Sequence, residues 1–307
     1  MFEVQDGKQA ILQSGFSYLP QFISVEEAGE LIDYFGALRP LWEQRFHGVS
    51  KQRSAKHGRR LTRPVYWLGA WQFACLGYYA EPEHLNDRCL RAEPFPAVMQ
   101  NILDRLTVVL ASSHDHDHDH DHDHDHDHDH DRDRDRDDKN DNKNDNKNET
   151  LELPNTCLIN YYGRELGQGQ PRDYARLRMH RDGEPGPVIM FSIGQPGLLE
   201  FLDPEISPDP ELSLWTRHRS VTILSGPNFK DRLYHRITQV RTGREPQLHT
   251  ELENFELRRI SVSFRSVPEQ YIADFHELPD NATSQIADYV GELALHSKHY
   301  EDQLAKK

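Results

Sequence analysis

The sequence predicts an α+β protein that is mainly β, in which two helices precede an antiparallel sandwich or barrel. Apolar residues recur at helical spacing over residues 24–37 and about 96–110. Beyond residue 150 the pattern changes to short runs of alternating apolar residues, separated by Gly, Pro and Asp clusters. These predicted strands are TCLINYY, VIMFSIG, LLEFLD, SVTILSG, YHRITQV and RRISVSFRSV.

The first helix is predicted to begin with a capping box, because Ser24 and Glu27 stand three residues apart. Its apolar stripe consists of Val25, Ala28, Leu31, Ile32 and Phe35. The second helix has Pro96 in its first turn, followed by a stripe of Met99, Ile102, Leu103, Leu106 and Leu110. A last helix is predicted from about Ala282 to Leu304, with a frayed tail as the alternative.

A low-complexity insert occupies residues 114–149, where His and Asp alternate before Asp-Arg and Asn-Lys-Asp repeats. It holds 16 acidic and 6 basic side chains, so it supplies −10 of the formal net charge of −15 and leaves −5 for the rest. Because it has almost no apolar residues, we expect it to be disordered. It is either a neutral repeat expansion or a metal-buffering segment, since its histidines can chelate transition metals.

The remaining composition excludes several classes of protein. Three scattered cysteines are too few for a disulfide framework or a thiolate zinc site. The N-terminus lacks the basic start of a signal peptide, and no apolar run approaches the roughly 20 residues of a membrane span. We therefore expect a cytoplasmic protein, or a nuclear one in a eukaryote, with no membrane partner.

His180 and Asp182 are the first candidate site residues. In an extended segment their spacing directs both side chains to one face. The facial triad that binds non-haem Fe(II) needs two imidazoles and one carboxylate, and this pair supplies two of the three. Taken alone, such a pair is more often a solvent-exposed feature of a polar loop.

Two other predicted strands carry polar side chains on one face. Asn160 and Tyr162 share a face of NTCLINYYG, and the last strand has one apolar face and one that carries Arg259, Ser261, Ser263 and Arg265. Two arginines on one face of an apolar strand are costly unless an anion lies opposite them. A dicarboxylate fits, because a guanidinium binds a carboxylate through two parallel hydrogen bonds.

Four segments in this order, NTCLINYYG, MHRDGEPGPV, GPNFKDRLYHRI and RRISVSFR, resemble the signature segments of the AlkB-like 2-oxoglutarate dioxygenases. The resemblance covers about residues 151–268 closely and about 60–110 more loosely. It implies a double-stranded β-helix (jelly-roll) core behind a nucleotide-recognition lid. It also implies an enzyme that uses Fe(II), 2-oxoglutarate and O2.

Position by position, the resemblance implies that His180, Asp182 and His235 bind the iron and are the catalytic residues. His218 and His249 are rivals for the third place. We prefer His235 because it alone follows an aromatic residue inside a strand pattern, YHRITQV. The alternative for His235 is a core histidine whose hydrogen bonds are satisfied.

The 2-oxoglutarate contacts implied by the resemblance are Asn160, Tyr162, Arg259, Ser261 and Arg265. Arg259 would hold the distal carboxylate, and Arg265 would lie nearer the metal-chelating end. The family often has Asn where this chain has Ser261, which implies a weaker or water-mediated contact. The link between Tyr162 and His180 is long for the family, and is either a surface flap or a substrate-contacting loop.

The substrate prediction rests on a basic stretch followed by aromatic residues. The basic residues are Arg45, Lys51, Arg53, Lys56, Arg59, Arg60 and Arg63, and the aromatic residues are Tyr66, Trp67, Trp71, Phe73, Tyr78 and Tyr79. Basic side chains can contact phosphates while aromatic ones stack on bases. The plain alternative is a solvated loop before a buried aromatic strand. By resemblance, this region is the lid, and Tyr78 and Tyr79 contact the damaged base.

The implied function is oxidative dealkylation of N-alkylated bases in DNA or RNA, a repair reaction on a single-stranded or flipped-out base. Two alternatives stay open: the same chemistry on a protein or small molecule, or a non-enzymatic metal-binding module. We expect a monomer with four regions. These are N-terminal helices and lid at 1–113, the insert at 114–149, the jelly-roll core at 150–270, and a C-terminal helix or tail at 271–307.

Overall fold

The computed structural model describes residues 4–42, 44–46, 58–60, 63–72, 89–114, 154–167, 172–173, 175–182, 186–243, 245–278 and 280–306. The predicted base contacts Tyr78 and Tyr79 lie outside the described residues, as does the insert from residue 115 onward. Of the predicted basic stretch, only Arg63 has a described side chain.

Strands dominate the described chain, as the sequence predicts, and most of the helix lies at the two ends. The strands are β1 (Val4–Gln5), β2 (Ile11–Gln13), β3 (Phe16–Leu19), β4 (Gln44–Phe46), β5 (Gly58–Arg60), β6 (Val65–Gln72), β7 (Cys89–Arg91), β8 (Thr156–Glu165), β9 (Arg172–Asp173), β10 (Leu177–His180), β11 (Val188–Gly194), β12 (Gly197–Leu202), β13 (Leu212–Thr216), β14 (Ser220–Leu224), β15 (Tyr234–Val240), β16 (Phe255–Arg265) and β17 (Ile272–Ala273). The α-helices are α1 (Val25–Ala37), α2 (Ala97–His114), α3 (Asp280–Ala294) and α4 (Lys298–Ala305). Short helical turns cover Pro227–Arg232, Glu269–Tyr271 and Phe275–Glu277.

Two sheets form the centre of the fold. The large sheet has the order β17-β7-β6-β8-β16-β11-β14-β3-β2, and the small sheet has the order β1-β13-β12-β15-β10. From β8 to β16, the chain contributes β8, β9, β11, β14 and β16 to the large sheet, with β9 beside β8, and β10, β12, β13 and β15 to the small one. Neighbouring strands of this set pair antiparallel. This order is consistent with a jelly roll.

Alternation along the strands gives the large sheet two different faces. On β16, Ile260, Val262 and Phe264 join the cluster that packs under the helices. On β11, Val188 instead belongs to a second cluster shared with small-sheet residues such as Phe201. The polar residues of the sequence prediction lie on the inner face, between the sheets, and the helices cover the outer one.

The capping box predicted at the N-terminus of helix α1 is confirmed. The Ser24 hydroxyl accepts from the Glu27 backbone N–H at 3.1 Å, and the Glu27 carboxylate accepts from the Ser24 N–H at 2.9 Å. Glu27 also pairs with Arg105 of α2, which ties the two N-terminal helices together. Contrary to the sequence prediction, Val25 does not belong to the buried stripe but is 65% exposed. The buried residues of the helix begin at Ala28.

The C-terminal region is two helices and neither the single helix nor the frayed tail of the prediction. Helix α3 ends at Ala294 and α4 begins at Lys298. Between them the Ser297 hydroxyl donates to Glu93, a contact with the segment between β7 and α2. Val290 and Tyr300, on either side of the break, are both buried in the main core, which explains why the turn is held in place.

Candidate metal centre

Strand pairing brings the three predicted ligands together. Strands β10 and β15 are antiparallel neighbours, and His180 is the register partner of His235. The two imidazole rings lie 4.2 Å apart between centroids. Asp182 follows two residues after β10 ends, so its carboxylate approaches from the loop and not from the strand that the spacing predicted.

The candidate ligand atoms of His180, Asp182 and His235 all lie within 4.8 Å of one another. His235 Nε2 is 3.5 Å from Asp182 Oδ2. Among the described residues, no other group of three or more His, Cys, Asp or Glu side chains comes together in this way. His218 accepts a hydrogen bond from the Gly194 N–H at 3.1 Å and lies outside the cluster.

The donor set fits a divalent iron. His180 Nδ1 lies 2.9 Å from the Arg178 carbonyl oxygen, so Nδ1 carries the proton and Nε2 is left with its lone pair. His235 Nδ1 has no hydrogen-bond partner in the described structure. Two neutral imidazole nitrogens and one carboxylate are the ligands of the 2-His-1-carboxylate triad, which leaves coordination positions open.

The charge states also suit metal binding. Burial alone would raise the pKa of Asp182, but Arg265, His235 and His180 outweigh it and hold that pKa below its usual range. Burial and the nearby His180 lower the pKa of His235 to about 3. The pKa of His180 is lowered as well, by burial and more weakly by Arg63 and Arg265. At neutral pH the site therefore holds a carboxylate and two neutral imidazoles, as a metal requires.

Arg265 lies beside the cluster, at the end of β16. Its Nη2 donates to Asp182 Oδ1 at 2.6 Å, and the two side chains are only 7% and 6% exposed. A charge-assisted hydrogen bond of this kind both orients the carboxylate and keeps it ionised. Arg265 is thus tied to the candidate metal centre by a direct contact.

Arg259, near the middle of the same strand, has no such partner. It is 3% exposed, and its Nη2 donates to the hydroxyls of Ser192 at 3.0 Å and Thr216 at 3.2 Å. Its Nε has no hydrogen-bond partner, and no carboxylate of the described residues pairs with it. Burial lowers the pKa of Arg259. Because a buried unpaired cation is costly, the arrangement favours an anionic ligand at this point.

Strand β8 supplies the residues that face β16. Tyr162 is the register partner of Arg259, and Asn160 is that of Ser261. The Arg259 guanidinium lies 5.5 Å from the Tyr162 ring centroid, and Asn160 Nδ2 is 3.4 Å from the Ser261 carbonyl oxygen. These four buried residues form a continuous polar surface, here called the polar wall, which reaches from Arg259 towards the candidate metal centre.

The comparison with known families decides what this constellation is. The model of the family described as the 2OG-Fe(II) oxygenase superfamily matches residues 15–265. The chain belongs to the 2OG-Fe(II) oxygenase superfamily. As a member it is an iron(II)- and 2-oxoglutarate-dependent dioxygenase, and its cofactor and co-substrates are Fe(II), 2-oxoglutarate and O2.

The other comparisons add little to the superfamily assignment. A solved structure described as "The structure of OsALKBH1" is 16% identical, with 83% of this chain and 100% of that chain covered and a TM-score of 0.47. At that level the likeness carries no argument about substrate. No curated protein matches the sequence. Among the described residues, no helix has both the length and the apolar character needed to cross a bilayer.

Arg63 is the site residue that sequence reasoning placed wrongly. The basic stretch predicted it on a phosphate-contacting surface, whereas in this superfamily member it is 8% exposed and lies against the polar wall. Its Nε donates to Asn160 Oδ1 at 2.6 Å, and its guanidinium is 5.3 Å from the Tyr162 ring centroid. The only available signal was its place directly before Pro64 and the buried strand β6.

His218 and His249, the two rivals for the third ligand position, both pack against other parts of the fold and not against the candidate metal centre. Burial lowers the pKa of His218 to about 4, and Arg219 acts in the same direction. His249 packs against α1 at Gly36, where a Cβ atom would lie 2.1 Å from His249 Nε2. Any larger residue at position 36 would therefore displace His249, which explains a glycine within the buried stripe of the helix.

Proposed function

We propose that this dioxygenase is AlkB-like and removes alkyl groups oxidatively from the nitrogens of nucleobases in DNA or RNA. One observation carries the proposal. The four segments that resemble the AlkB-like signatures, although far apart in sequence, line a single site that runs from the cluster of His180, Asp182 and His235 to Arg259.

In this proposal His180, Asp182 and His235 hold Fe(II), with Asp182 kept ionised and oriented by Arg265. Iron held there, together with 2-oxoglutarate and O2, supplies a two-electron oxidation of a carbon–hydrogen bond. One oxygen atom enters succinate as CO2 leaves, and the other enters a hydroxyl group on the alkyl carbon. The hydroxylated carbon then separates from nitrogen as an aldehyde, and the proton returns to the base.

The polar wall is proposed to bind 2-oxoglutarate. Arg259 would hold the distal carboxylate through Nε and Nη, which matches the lack of a hydrogen-bond partner for its Nε. Tyr162 would border that carboxylate, and Asn160 and Ser261 would contact the middle of the molecule. Arg265 would lie nearest the metal-chelating end, because it already contacts Asp182.

The nucleic-acid part of the proposal rests on the lid sequence. Residues 45–62 are rich in Arg and Lys, and Tyr78 and Tyr79 follow within the resembling region. Basic groups that track phosphates and aromatic rings that stack on a flipped base are the chemistry such a substrate needs. The four regions 1–113, 114–149, 150–270 and 271–307, and a monomeric state, belong to the same proposal.

The test is a screen of methylated DNA and RNA oligonucleotides, incubated with Fe(II), 2-oxoglutarate and O2, with loss of methyl mass as the readout. We expect demethylation by the wild type, none by His180→Ala, and full activity from His218→Ala, a histidine outside the cluster. Succinate release in parallel separates the alternatives. Release without any oligonucleotide product favours a protein or small-molecule substrate, and equal release by His180→Ala excludes this triad as a catalyst.

A further inference from the structure

Arg63 contacts two residues of the polar wall from the segment that leads into β6. It precedes β6, whose Val65 is the register partner of Asn160. This places the guanidinium above Asn160 and Tyr162, with the contacts of 2.6 Å to Asn160 Oδ1 and 5.3 Å to the Tyr162 ring. The described site therefore contains three buried arginines, Arg63, Arg259 and Arg265, of which the sequence patterns assigned only two to the co-substrate.

The contact with Arg63 fixes which way the Asn160 amide points. A guanidinium nitrogen can only donate, so the amide atom that faces it must be the oxygen. The amide nitrogen is then turned away from Arg63, and its nearest acceptors, the Leu158 and Ser261 carbonyl oxygens, are both 3.4 Å away. Hydrogen bonds at that distance are weak, so the NH2 group keeps capacity to donate to an oxygen in the site.

We infer that Arg63 is a positioning residue for 2-oxoglutarate, which holds Asn160 with its NH2 group directed at the co-substrate; this rests on the proposed role of the polar wall. Without Arg63, the amide can rotate and present its oxygen to an anionic ligand, an unfavourable contact. Arg63 also lies against the aromatic ring of Tyr162, as a second cation beside Arg259, and this contact helps to hold the ring in place. Arg63 thus acts mainly through its hydrogen bond to Asn160, with Tyr162 contributing less, and not by direct catalysis.

The first experiment measures 2-oxoglutarate binding by calorimetry to protein loaded with Mn(II), a redox-silent substitute for Fe(II). Arg63→Met and Arg63→Gln form a matched pair of similar size, of which only Gln retains an N–H donor for Asn160 Oδ1. We expect Met to weaken binding about tenfold, the value of a charged hydrogen bond, and Gln to retain most of the affinity. The inference would be overturned if both variants weakened binding equally, or if both bound 2-oxoglutarate as tightly as the wild type.

A double-mutant cycle tests whether Arg63 acts through Asn160. In an Asn160→Ala background, Arg63→Met should cause little further loss of affinity, because the two residues act as one unit. Additive losses would show that Arg63 acts independently and would overturn the role assigned here.

Asn160→Asp is a second, isosteric probe that keeps a partner for Arg63 but removes the NH2 donor. We expect it to weaken 2-oxoglutarate binding by more than tenfold, and unchanged affinity would contradict the proposed amide orientation.

Controls separate this inference from the proposed function. Arg164→Ala removes a partly exposed arginine from the same strand as Asn160 and should leave affinity unchanged. The Arg164 guanidinium lies 3.9 Å from the Glu256 carboxylate. In turnover, Arg63→Met should raise the KM for 2-oxoglutarate with a smaller change in kcat, while Mn(II) affinity and the melting temperature stay near wild type. If wild-type protein binds no 2-oxoglutarate, the proposed function fails; if it binds and Arg63→Met binds equally, only this inference fails.

Discussion

The two arginines of β16 are alike in residue type, strand face and burial, yet they differ in what neutralises them. Arg265 donates to Asp182 at 2.6 Å, whereas the hydrogen bonds of Arg259 go to the uncharged hydroxyls of Ser192 and Thr216. The comparison teaches that one buried cation is part of the protein's own structure. Arg259, by contrast, has no carboxylate partner among the described residues, so its buried charge favours binding of an anionic ligand.

The difference has an energetic consequence. Removing one partner from a buried ion pair destabilises a protein, because the remaining charge loses its compensation. Replacing an unpaired buried cation with an apolar residue of similar size has the opposite tendency, since the desolvation cost disappears. Substitution of the two arginines of β16 should therefore change stability with opposite signs, although both substitutions impair 2-oxoglutarate turnover.

The largest effect is expected from Asp182→Asn, which keeps the shape of the side chain but removes its charge. Loss of residues that merely orient ligands already costs up to about 100-fold in metal affinity, so loss of a ligand should cost at least that. Metal-free protein should also lose about 3 kcal/mol of unfolding free energy, as Arg265 loses its ion pair. Metal titration and urea unfolding measure the two effects. Unchanged metal affinity would rule out Asp182 as a ligand.

A second substitution, Arg259→Met, should separate stability from function. We expect the KM for 2-oxoglutarate to rise about 100-fold, because a bidentate charged contact is worth roughly 3 kcal/mol. The unfolding free energy of the ligand-free protein should stay level or rise by about 1 kcal/mol. Arg265→Met is the matched comparison and should lower it. If both variants destabilise the protein equally, Arg259 is a structural arginine and the contrast between the two arginines is lost.

Sequence patterns identified the parts of this site that obey a strand period. Asn160 and Tyr162 on β8, and Arg259 and Arg265 on β16, share a polar face because alternate residues of a strand point the same way. The pairing of these faces across the sheet, Arg259 with Tyr162, matches that expectation. Periodicity was therefore enough to predict which residues share a face of each strand, whereas their meeting in one site was implied by the family resemblance.

Other features depended on contacts between distant segments, which no local pattern encodes. Arg63 stands in a run of basic residues, and nothing in that run separates a buried guanidinium from a solvated one. The break between α3 and α4 depends on Ser297 contacting Glu93, which is about 200 residues away in sequence. The strands β1 and β3 extend the two sheets through β13 and β14, although residues 1–23 carry no strand signal as long as those beyond residue 150.

The smallest effect that sharpens the comparison is expected from Ser192→Ala. The Ser192 hydroxyl accepts from Arg259 Nη2 at 3.0 Å, and Ser192 is not among the candidate ligands of the metal centre. Its loss leaves Thr216 as the second acceptor, so we expect the KM for 2-oxoglutarate to rise only about threefold, with kcat and metal affinity unchanged. Steady-state succinate release at varied 2-oxoglutarate measures this. Because the proposed effect passes through Arg259, the change should vanish in an Arg259→Met background, and a change that persists there would mean that Ser192 serves the site by another route.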